Sequence, residues 1–210
     1  MIPFDAGAPG SLAAAGEADD GAPADPFALL AAWLPGWDGA PLGPMTLATI
    51  GRDGYPAART VLLSGFDGER FFFHTDARSA KAAELATNPR AAATLVWPEA
   101  GRQLVVTGDV ERLTASDAAA AYSHRTRYLQ VLAWANDAEM AQHSLAERRE
   151  RWRAFDAAHP PGMLAPPPHW AGYALAPVRI SFWLADDAGP SHRLAYERDG
   201  GRWALAALPG

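Results

Sequence analysis

Apolar and polar side chains alternate in short stretches from residue 45 onward, and turn residues such as Asp67 and Gly68 separate the stretches. Such alternation is typical of strands with one buried face, and short turns between them favour hairpins. The pattern predicts strands at 45–50, 57–64, 70–75, 91–97, 103–113, 173–175, 179–184, 193–197 and 203–205. We expect an antiparallel meander that is closed, or nearly closed, into a barrel.

Helices are predicted at the flanks of these strands. Asp25 followed by Pro26 predicts a helix start, because Asp caps helices and Pro fits their first turn. Ser79 is predicted to cap a helix over 80–87, with its side-chain oxygen accepting a free backbone N–H. Further helices are predicted from residue 114 and over 145–157. The fold class is therefore mainly β with flanking helices (α+β).

Residues 1–24 differ from the rest, because they are rich in Gly, Ala and Pro and contain four acidic residues and no basic one. Such a segment buries too little apolar surface to offset its ordering entropy. The sequence predicts a disordered tail at 1–24 and one domain over 25–210, since 210 residues suffice for a single core.

Composition excludes several classes of protein. A net charge of −6 argues against a general nucleic-acid binder, which needs a basic face. No apolar run reaches membrane-spanning length, and we expect no membrane partner. The absence of cysteine excludes disulfides, thiol catalysis and thiolate metal sites, and it makes a cytoplasmic location the default expectation.

Lys81 is the only lysine, and all other basic residues apart from histidine are arginine. Arg59, Ser79 and Lys81 are placed to converge on one anion at a helix start, where free N–H groups favour phosphate. A compact ammonium suits a narrow phosphate pocket. The alternative is that compositional bias removed lysine and left Lys81 by chance.

The chain itself offers few groups for catalysis. It has no glycine-rich phosphate loop of the nucleotide-binding kinds and no nucleophile elbow, and its six histidines show no metal-ligand spacing. A chain of this kind either binds a molecule or takes its reactivity from a cofactor. We predict no metal site.

Short motifs occur in a fixed order along most of the chain from residue 25 onward. They are PMTLAT at 44–49, Gly54, ARTVLL at 58–63, FHT at 73–75, SAK at 79–81, NPR at 88–90, Trp97, RQ at 102–103, Gly108, HWAGY at 169–173 and RISFW at 179–183. Their order and spacing resemble those of the FMN-binding split-barrel oxidases, and most closely the pyridoxine/pyridoxamine 5′-phosphate oxidase family.

The resemblance implies an FMN-binding split β-barrel, antiparallel, that forms a homodimer with FMN at the interface and a dimerisation part at about 168–210. It implies an oxidoreductase, a flavoprotein whose FMN contacts are Arg59, Thr60, Val61, Leu62, His74, Thr75, Ser79, Lys81, Gln103, Trp183 and Arg193. Of these, the last three lie around the flavin ring. Arg193 and His192 are the implied catalytic residues, and the implied substrate contacts are Ser64, Arg125, Leu129 and Ser191.

Most departures from the family pattern fall on the substrate side. Ser64 stands where the family has a phosphate-binding lysine, and Ala121 and Leu129 replace a tyrosine and a serine around the same phosphate. Arg125 matches, whereas Tyr122 is one position away and is expected to point elsewhere. The segment GPSHR at 189–193 keeps only the last arginine of the usual Arg-Leu-His-Asp-Arg.

Smaller departures concern FMN. Ala80 replaces an arginine beside Lys81, and the usual Gln-Ser pair after Trp134 is missing from ANDA at 135–138. Each lost charge-assisted contact costs roughly 1.5–3 kcal/mol. We expect FMN still to bind, because most of its implied contacts are retained. We expect the affinity for pyridoxine phosphate to be low, because several contacts are missing from one small phosphate site.

Three functions stay open at this point. The first is an FMN-dependent oxidase of a small aromatic or heterocyclic substrate, with hydride transfer to flavin and O2 as acceptor, as in the late oxidations of phenazine biosynthesis. The second is a genuine pyridoxine/pyridoxamine 5′-phosphate oxidase in which Arg125, Arg127 and His192 compensate. The third is a non-catalytic barrel that binds flavin, a deazaflavin or haem.

Overall fold

A computed structural model of the protein describes residues 21–34, 42–162 and 164–210. Of the tail predicted at 1–24, residues 1–20 lie outside the described residues. In the described chain, the Tyr196 hydroxyl donates a hydrogen bond of 3.0 Å to the Pro23 carbonyl. This contact joins the start of the described chain to the sheet.

Within the described residues, eight antiparallel strands form one sheet, and six of them close into a barrel. The strands are β1 Gly43–Ile50, β2 Pro56–Phe66, β3 Phe71–Asp76, β4 Arg90–Trp97, β5 Arg102–Arg112, β6 Trp170–Leu184, β7 His192–Asp199 and β8 Arg202–Pro209. Their order is β3-β2-β1-β4-β5-β6-β7-β8, and an additional β3–β6 pairing closes the first six. The predicted antiparallel barrel is thus confirmed.

The two strands predicted at 173–175 and 179–184 are one continuous strand, β6, which corrects the sequence prediction. Pro177 lies between the two predicted segments, and the β5–β6 register shifts between Thr107 and Gly108, where a bulge accommodates a proline. A Cβ on Gly108 would lie 2.0 Å from the Ala176 carbonyl oxygen, so glycine permits this close approach. The long strand lets its first half pair with β3 and its second half with β7.

In the part of the chain that the structure describes, five α-helices flank the barrel: α1 Pro26–Trp33, α2 Ala80–Thr87, α3 Ala115–Ser123, α4 Arg127–Ala135 and α5 Leu145–Ala158. The Asp25 carboxylate caps α1 by accepting from the Phe27 N–H, as its sequence predicts. Of the helices in the described ranges, none has both the length and the apolarity that a membrane crossing requires.

Large side chains fill the barrel interior. Leu47, Leu63, Phe71, Phe73 and Leu104 are fully buried, and they alternate with more exposed neighbours along their strands. The Phe73 ring also stacks on Tyr173 across the β3–β6 seam at 5.3 Å. Because side chains occupy the interior, a ligand site must lie outside the closed barrel.

Candidate functional site

A cavity of about 670 Å³ lies between strands β2 and β3, the start of α2, helix α4 and the loop that follows α4. Nine residues predicted to contact cofactor or substrate line it, namely Thr60, Val61, Leu62, His74, Thr75, Ser79, Lys81, Arg125 and Leu129. These residues come from four parts of the chain, and the fold brings them to one surface. The volume is in the range of small-molecule and cofactor sites.

One end of the cavity is the start of helix α2. The Lys81 ammonium donates a 3.0 Å hydrogen bond to the Thr75 hydroxyl, whose oxygen also lies 3.5 Å from that of Ser79. Burial and the nearby Arg59 guanidinium lower the pKa of Lys81. A desolvated cation beside two hydroxyl groups and a helix start is a favourable site for an anion.

Ser79 occupies the N-cap position of α2, but its side chain makes no capping hydrogen bond, which corrects the predicted cap. Its carbonyl oxygen accepts from the Ala82 and Ala83 N–H groups, while its hydroxyl lines the cavity near Thr75. The Ser79 hydroxyl therefore does not satisfy the helix and is free to contact a ligand.

Arg59 is not among the residues that line the cavity, and its guanidinium makes internal contacts. Its guanidinium lies 2.7 Å from the Glu84 carboxylate and donates to the Thr49 hydroxyl at 2.5 Å. Glu84 also accepts from Thr49, and these contacts with Thr49 and Arg59 lower the pKa of Glu84. The predicted contact between Arg59 and a phosphate stays a prediction. Sequence reasoning missed Glu84, although Glu84 lies one turn after Lys81 on the same helix.

Arg125 forms the opposite end of the cavity. Its guanidinium lies over the Trp170 ring, 4.7 Å from the centroid. Among the described residues its Nε is buried without a hydrogen-bond partner, and burial lowers the pKa of Arg125 to about 10. A cation in this state is costly unless a ligand compensates it.

His74 and Trp170 form an aromatic stack beneath Arg125, with parallel rings 5.3 Å apart. The Trp170 indole N–H donates to the Ala118 carbonyl at 2.8 Å, which fixes the stack to helix α3. Both His74 ring nitrogens are buried without a partner among the described residues, and burial lowers the pKa of His74 to about 4. His74 is therefore neutral at physiological pH. Trp170 stood in a quoted motif but was not predicted as a site residue.

The remaining substrate-side predictions have different outcomes. Leu129 lines the cavity beside Arg125, whereas Ser64 is buried on β2 with a hydroxyl that has no described partner, and it is not part of the lining. Tyr122 is buried and donates to the Gln130 carbonyl at 3.1 Å. As expected from its position, Tyr122 points away from the cavity.

Charged side chains at the rim balance one another. Arg78 lies 2.7 Å from the Asp76 carboxylate and 3.7 Å from that of Asp137. The lining contains three cations, Arg78, Lys81 and Arg125, and three carboxylates, Asp76, Asp137 and Glu139, so its formal charge is zero with His74 neutral. Asp137 lies in the segment where the family has its Gln-Ser pair.

The predicted flavin-ring contacts form a second group, which we call the cross-strand row: Gln103 on β5, Trp183 on β6 and Arg193 on β7. Gln103 pairs with Trp183 and Trp183 with Arg193 in the strand register. Arg193 Nε donates to the Ser181 hydroxyl at 3.2 Å. None of the three lines the cavity of the same chain.

The predicted residues Ser191 and His192 lie at the start of β7, next to this row. The His192 ring Nε2 is 3.6 Å from an Asp186 carboxylate oxygen, and His192 is exposed. The structure thus brings Ser191, His192 and Arg193 together but places them outside the cavity.

The profile of the family described as pyridoxamine 5′-phosphate oxidase matches residues 41–157. The chain belongs to this family. Among curated members, the pyridoxine/pyridoxamine 5′-phosphate oxidase of Caulobacter vibrioides is 38% identical over 191 residues, covering 88% of this chain and 84% of the relative. That of Pseudomonas paraeruginosa is 37% identical over 205 residues and covers 92% of each chain.

Solved structures of the family share the fold. PhzG from Burkholderia lata 383, in complex with tetrahydrophenazine-1-carboxylic acid, is 26% identical, with a TM-score of 0.74 over 90% of this chain and 94% of PhzG. A pyridoxamine 5′-phosphate oxidase-related FMN-binding protein from Nostoc punctiforme is 23% identical, with a TM-score of 0.65 over 80% of this chain and 88% of that chain. These likenesses bear out the split barrel.

Proposed function

We propose that the protein is an FMN-dependent oxidase of a small aromatic or heterocyclic substrate, acting in the cytoplasm as the cysteine-free sequence favours. The observation that carries the proposal is the cavity with, at each end, a cation that makes no ion pair within the described residues, Lys81 beside the start of α2 and Arg125 over Trp170. The two ends suit a phosphorylated cofactor and an anionic substrate, respectively.

The residues at the α2 end fit the phosphate of FMN. Lys81, Thr75 and Ser79 offer one ammonium and two hydroxyl groups, and the first turn of α2 adds backbone N–H groups. Bound FMN supplies the two-electron acceptor for a substrate hydride, with O2 as the proposed final oxidant. The protein binds and orients both partners, and it keeps water from the space between them.

A homodimer would complete the site. The cross-strand row is the part of the family pattern that resembles flavin-ring contacts, yet it lies outside the cavity of its own chain. We infer that a second copy brings its Gln103, Trp183 and Arg193 to the cavity. A cation beside the flavin ring favours its reduced, anionic form, so Arg193 would assist the hydride transfer.

The eroded phosphate site supports a substrate other than pyridoxamine phosphate. Ser64 and Leu129 offer no charge where the family binds phosphate, and Tyr122 is bonded elsewhere. The complex of PhzG with a tetrahydrophenazine carboxylic acid supports a heterocyclic substrate for this scaffold.

A genuine pyridoxine/pyridoxamine 5′-phosphate oxidase is the second candidate. Identity of 37–38% to curated oxidases over most of the chain favours it, and so does the retained Arg125. The two candidates differ in substrate and share the cofactor.

The visible spectrum of the purified protein, before and after FMN addition, tests the cofactor. We then add tetrahydrophenazine-1-carboxylic acid or pyridoxamine 5′-phosphate to the FMN-loaded protein without oxygen and follow flavin bleaching. Bleaching by the heterocycle and not by the phosphate ester supports the first candidate, and the reverse supports the second. A protein that stays colourless with FMN contradicts both.

A further inference from the structure

We propose that the Arg125 end of the cavity binds a single carboxylate carried on a planar ring, and that it discriminates against a phosphate ester. The inference deepens the proposed function and rests on it for the assignment of the other end of the cavity to FMN. It is carried by the surroundings of Arg125, the charges of the lining and the shape of the neighbouring side chains.

Arg125 is held ready for a ligand. Its guanidinium stacks on Trp170 at 4.7 Å, and Trp170 is fixed by its bond to Ala118 and by its stack on His74. No acidic side chain of the described chain pairs with the guanidinium. A pre-positioned arginine loses little rotamer freedom when it binds, and its planar fork matches the two oxygens of a carboxylate.

The charge of the cavity favours a monoanion over a dianion. The lining is neutral overall, with three cations and three carboxylates. FMN bound at Lys81 would already add its dianionic phosphate. A second phosphate would bring two further negative charges to Arg125, because Lys81 would contact FMN and Arg78 is paired with Asp76. A carboxylate would bring one.

The side chains around Arg125 favour a flat apolar ring. Leu129, Leu132 and Ala133 of helix α4 line the same cavity as Arg125, and these three side chains offer no hydrogen bond to a third phosphate oxygen. Ser64 is buried outside the lining and cannot replace the missing donors. A dehydrated dianion with unmade hydrogen bonds is far more costly than a carboxylate satisfied by one guanidinium.

The test compares three probes that share one ring: 1-naphthoate, 1-naphthyl phosphate and the uncharged 1-naphthamide. Each is titrated by calorimetry into the FMN-loaded full chain and into the flavin-free chain. We expect 1-naphthoate to bind roughly ten-fold or more tighter than either other probe, as one charge-assisted contact provides. Equal affinities, or tighter binding of the phosphate ester, would overturn the proposal.

Two variants assign the effect to Arg125. Arg125→Met keeps much of the side-chain length without the charge and should weaken 1-naphthoate roughly 10- to 150-fold while leaving 1-naphthamide unchanged. Arg125→Lys keeps the charge but lacks the planar guanidinium, so its affinity for 1-naphthoate should lie between those of the wild type and Arg125→Met. An unchanged affinity for 1-naphthoate in both variants contradicts the proposal. If FMN fails to bind but 1-naphthoate still binds the flavin-free chain selectively, the proposed function fails and the carboxylate site stands.

Discussion

In the cavity, polar side chains meet from two strands and two helices, whereas the cross-strand row joins three neighbouring strands of one sheet. The cavity holds buried groups that have no hydrogen-bond partner among the described residues, such as the His74 ring and Arg125 Nε. The row is more open, and Arg193 is exposed on β7. The two regions are complementary, since the cavity has depth but none of the three predicted flavin-ring residues, and the row carries those residues outside the cavity.

We propose on this basis that one chain carries parts of two sites, which a second copy would complete. A largely buried cation without an ion pair in the described chain is costly, and the row of Gln103, Trp183 and Arg193, which is partly exposed, would gain contacts if another surface covered it. Pairing two chains would compensate both regions at once, and a two-fold axis would do so twice.

Acidification should lower the free energy of unfolding through His74 in the cavity and not through the cross-strand row. This is the largest effect that we expect. The pKa of His74 is lowered to about 4, so the unfolded chain takes up a proton near the ordinary value of about 6.5 while the folded chain does not. The contribution of neutral His74 to the free energy of unfolding is fully present above the ordinary value of about 6.5 and is lost as the pH falls towards 4. The loss amounts to roughly 3 kcal/mol.

Urea unfolding between pH 7 and 4 measures this loss in the wild type and in His74→Phe, which should lack most of it. His192→Phe is the matched control, because His192 is exposed at the start of β7. If His74→Phe and the wild type lose the same stability on acidification, His74 is not the buried neutral group described above.

Lys81→Met should weaken FMN binding roughly 10- to 150-fold, because it removes a charge-assisted contact to the phosphate. The affinity for riboflavin, which has no phosphate, should stay the same. Flavin fluorescence titrations measure both affinities. Arg90→Met is the control, since Arg90 is an exposed cation on β4; an equal loss of both flavins would place Lys81 in the fold instead of the phosphate site.

The features that could be predicted from the sequence are those that short-range patterns determine. Alternation predicted the strands that carry Gln103, Trp183 and Arg193, whereas the family resemblance grouped these residues. The short step from β3 into α2 brings Ser79 and Lys81 close to Thr75, which the resemblance had added. These groups are close in space because the local geometry of strands and of a helix start leaves few alternatives.

Contacts between side chains that lie far apart in the sequence could not be predicted. Arg59 lies 25 residues from Glu84 and 10 from Thr49, and which of several carboxylates it meets depends on how α2 packs on β1. The stack of Trp170 under Arg125 likewise depends on where the start of β6 meets helix α3. Alternation also could not show that Pro177 lies in a bulge of one strand.

Whether two chains share each site can be tested with dimers that combine two different variants. Lys81→Met and Arg193→Leu chains are co-expressed with different tags, and the mixed dimers are isolated through both tags. One of their two sites would be intact and the other doubly altered, so they should bind about half the FMN of the wild type. If each chain carried its own complete site, both sites would be defective and the mixed dimers would bind as weakly as the parents.

The smallest effect concerns Arg59, whose guanidinium the Glu84 carboxylate holds at 2.7 Å. Glu84→Gln removes the charge and leaves a neutral hydrogen-bond acceptor, so Arg59 becomes free to turn towards the phosphate at Lys81. FMN should then bind several-fold tighter, while the free energy of unfolding falls by about 1–3 kcal/mol because Arg59 loses a partly buried partner.

Thr49→Val serves as the control for this last prediction, because it removes the hydroxyl bonded to Arg59 and Glu84 but keeps the opposite charges together. It should lower stability without raising the affinity for FMN. Titration of FMN and riboflavin into both variants separates the outcomes, since only a phosphate contact distinguishes the two flavins. If Glu84→Gln leaves the ratio of the two affinities unchanged, Arg59 supports the fold through Glu84 and has no part in the phosphate site.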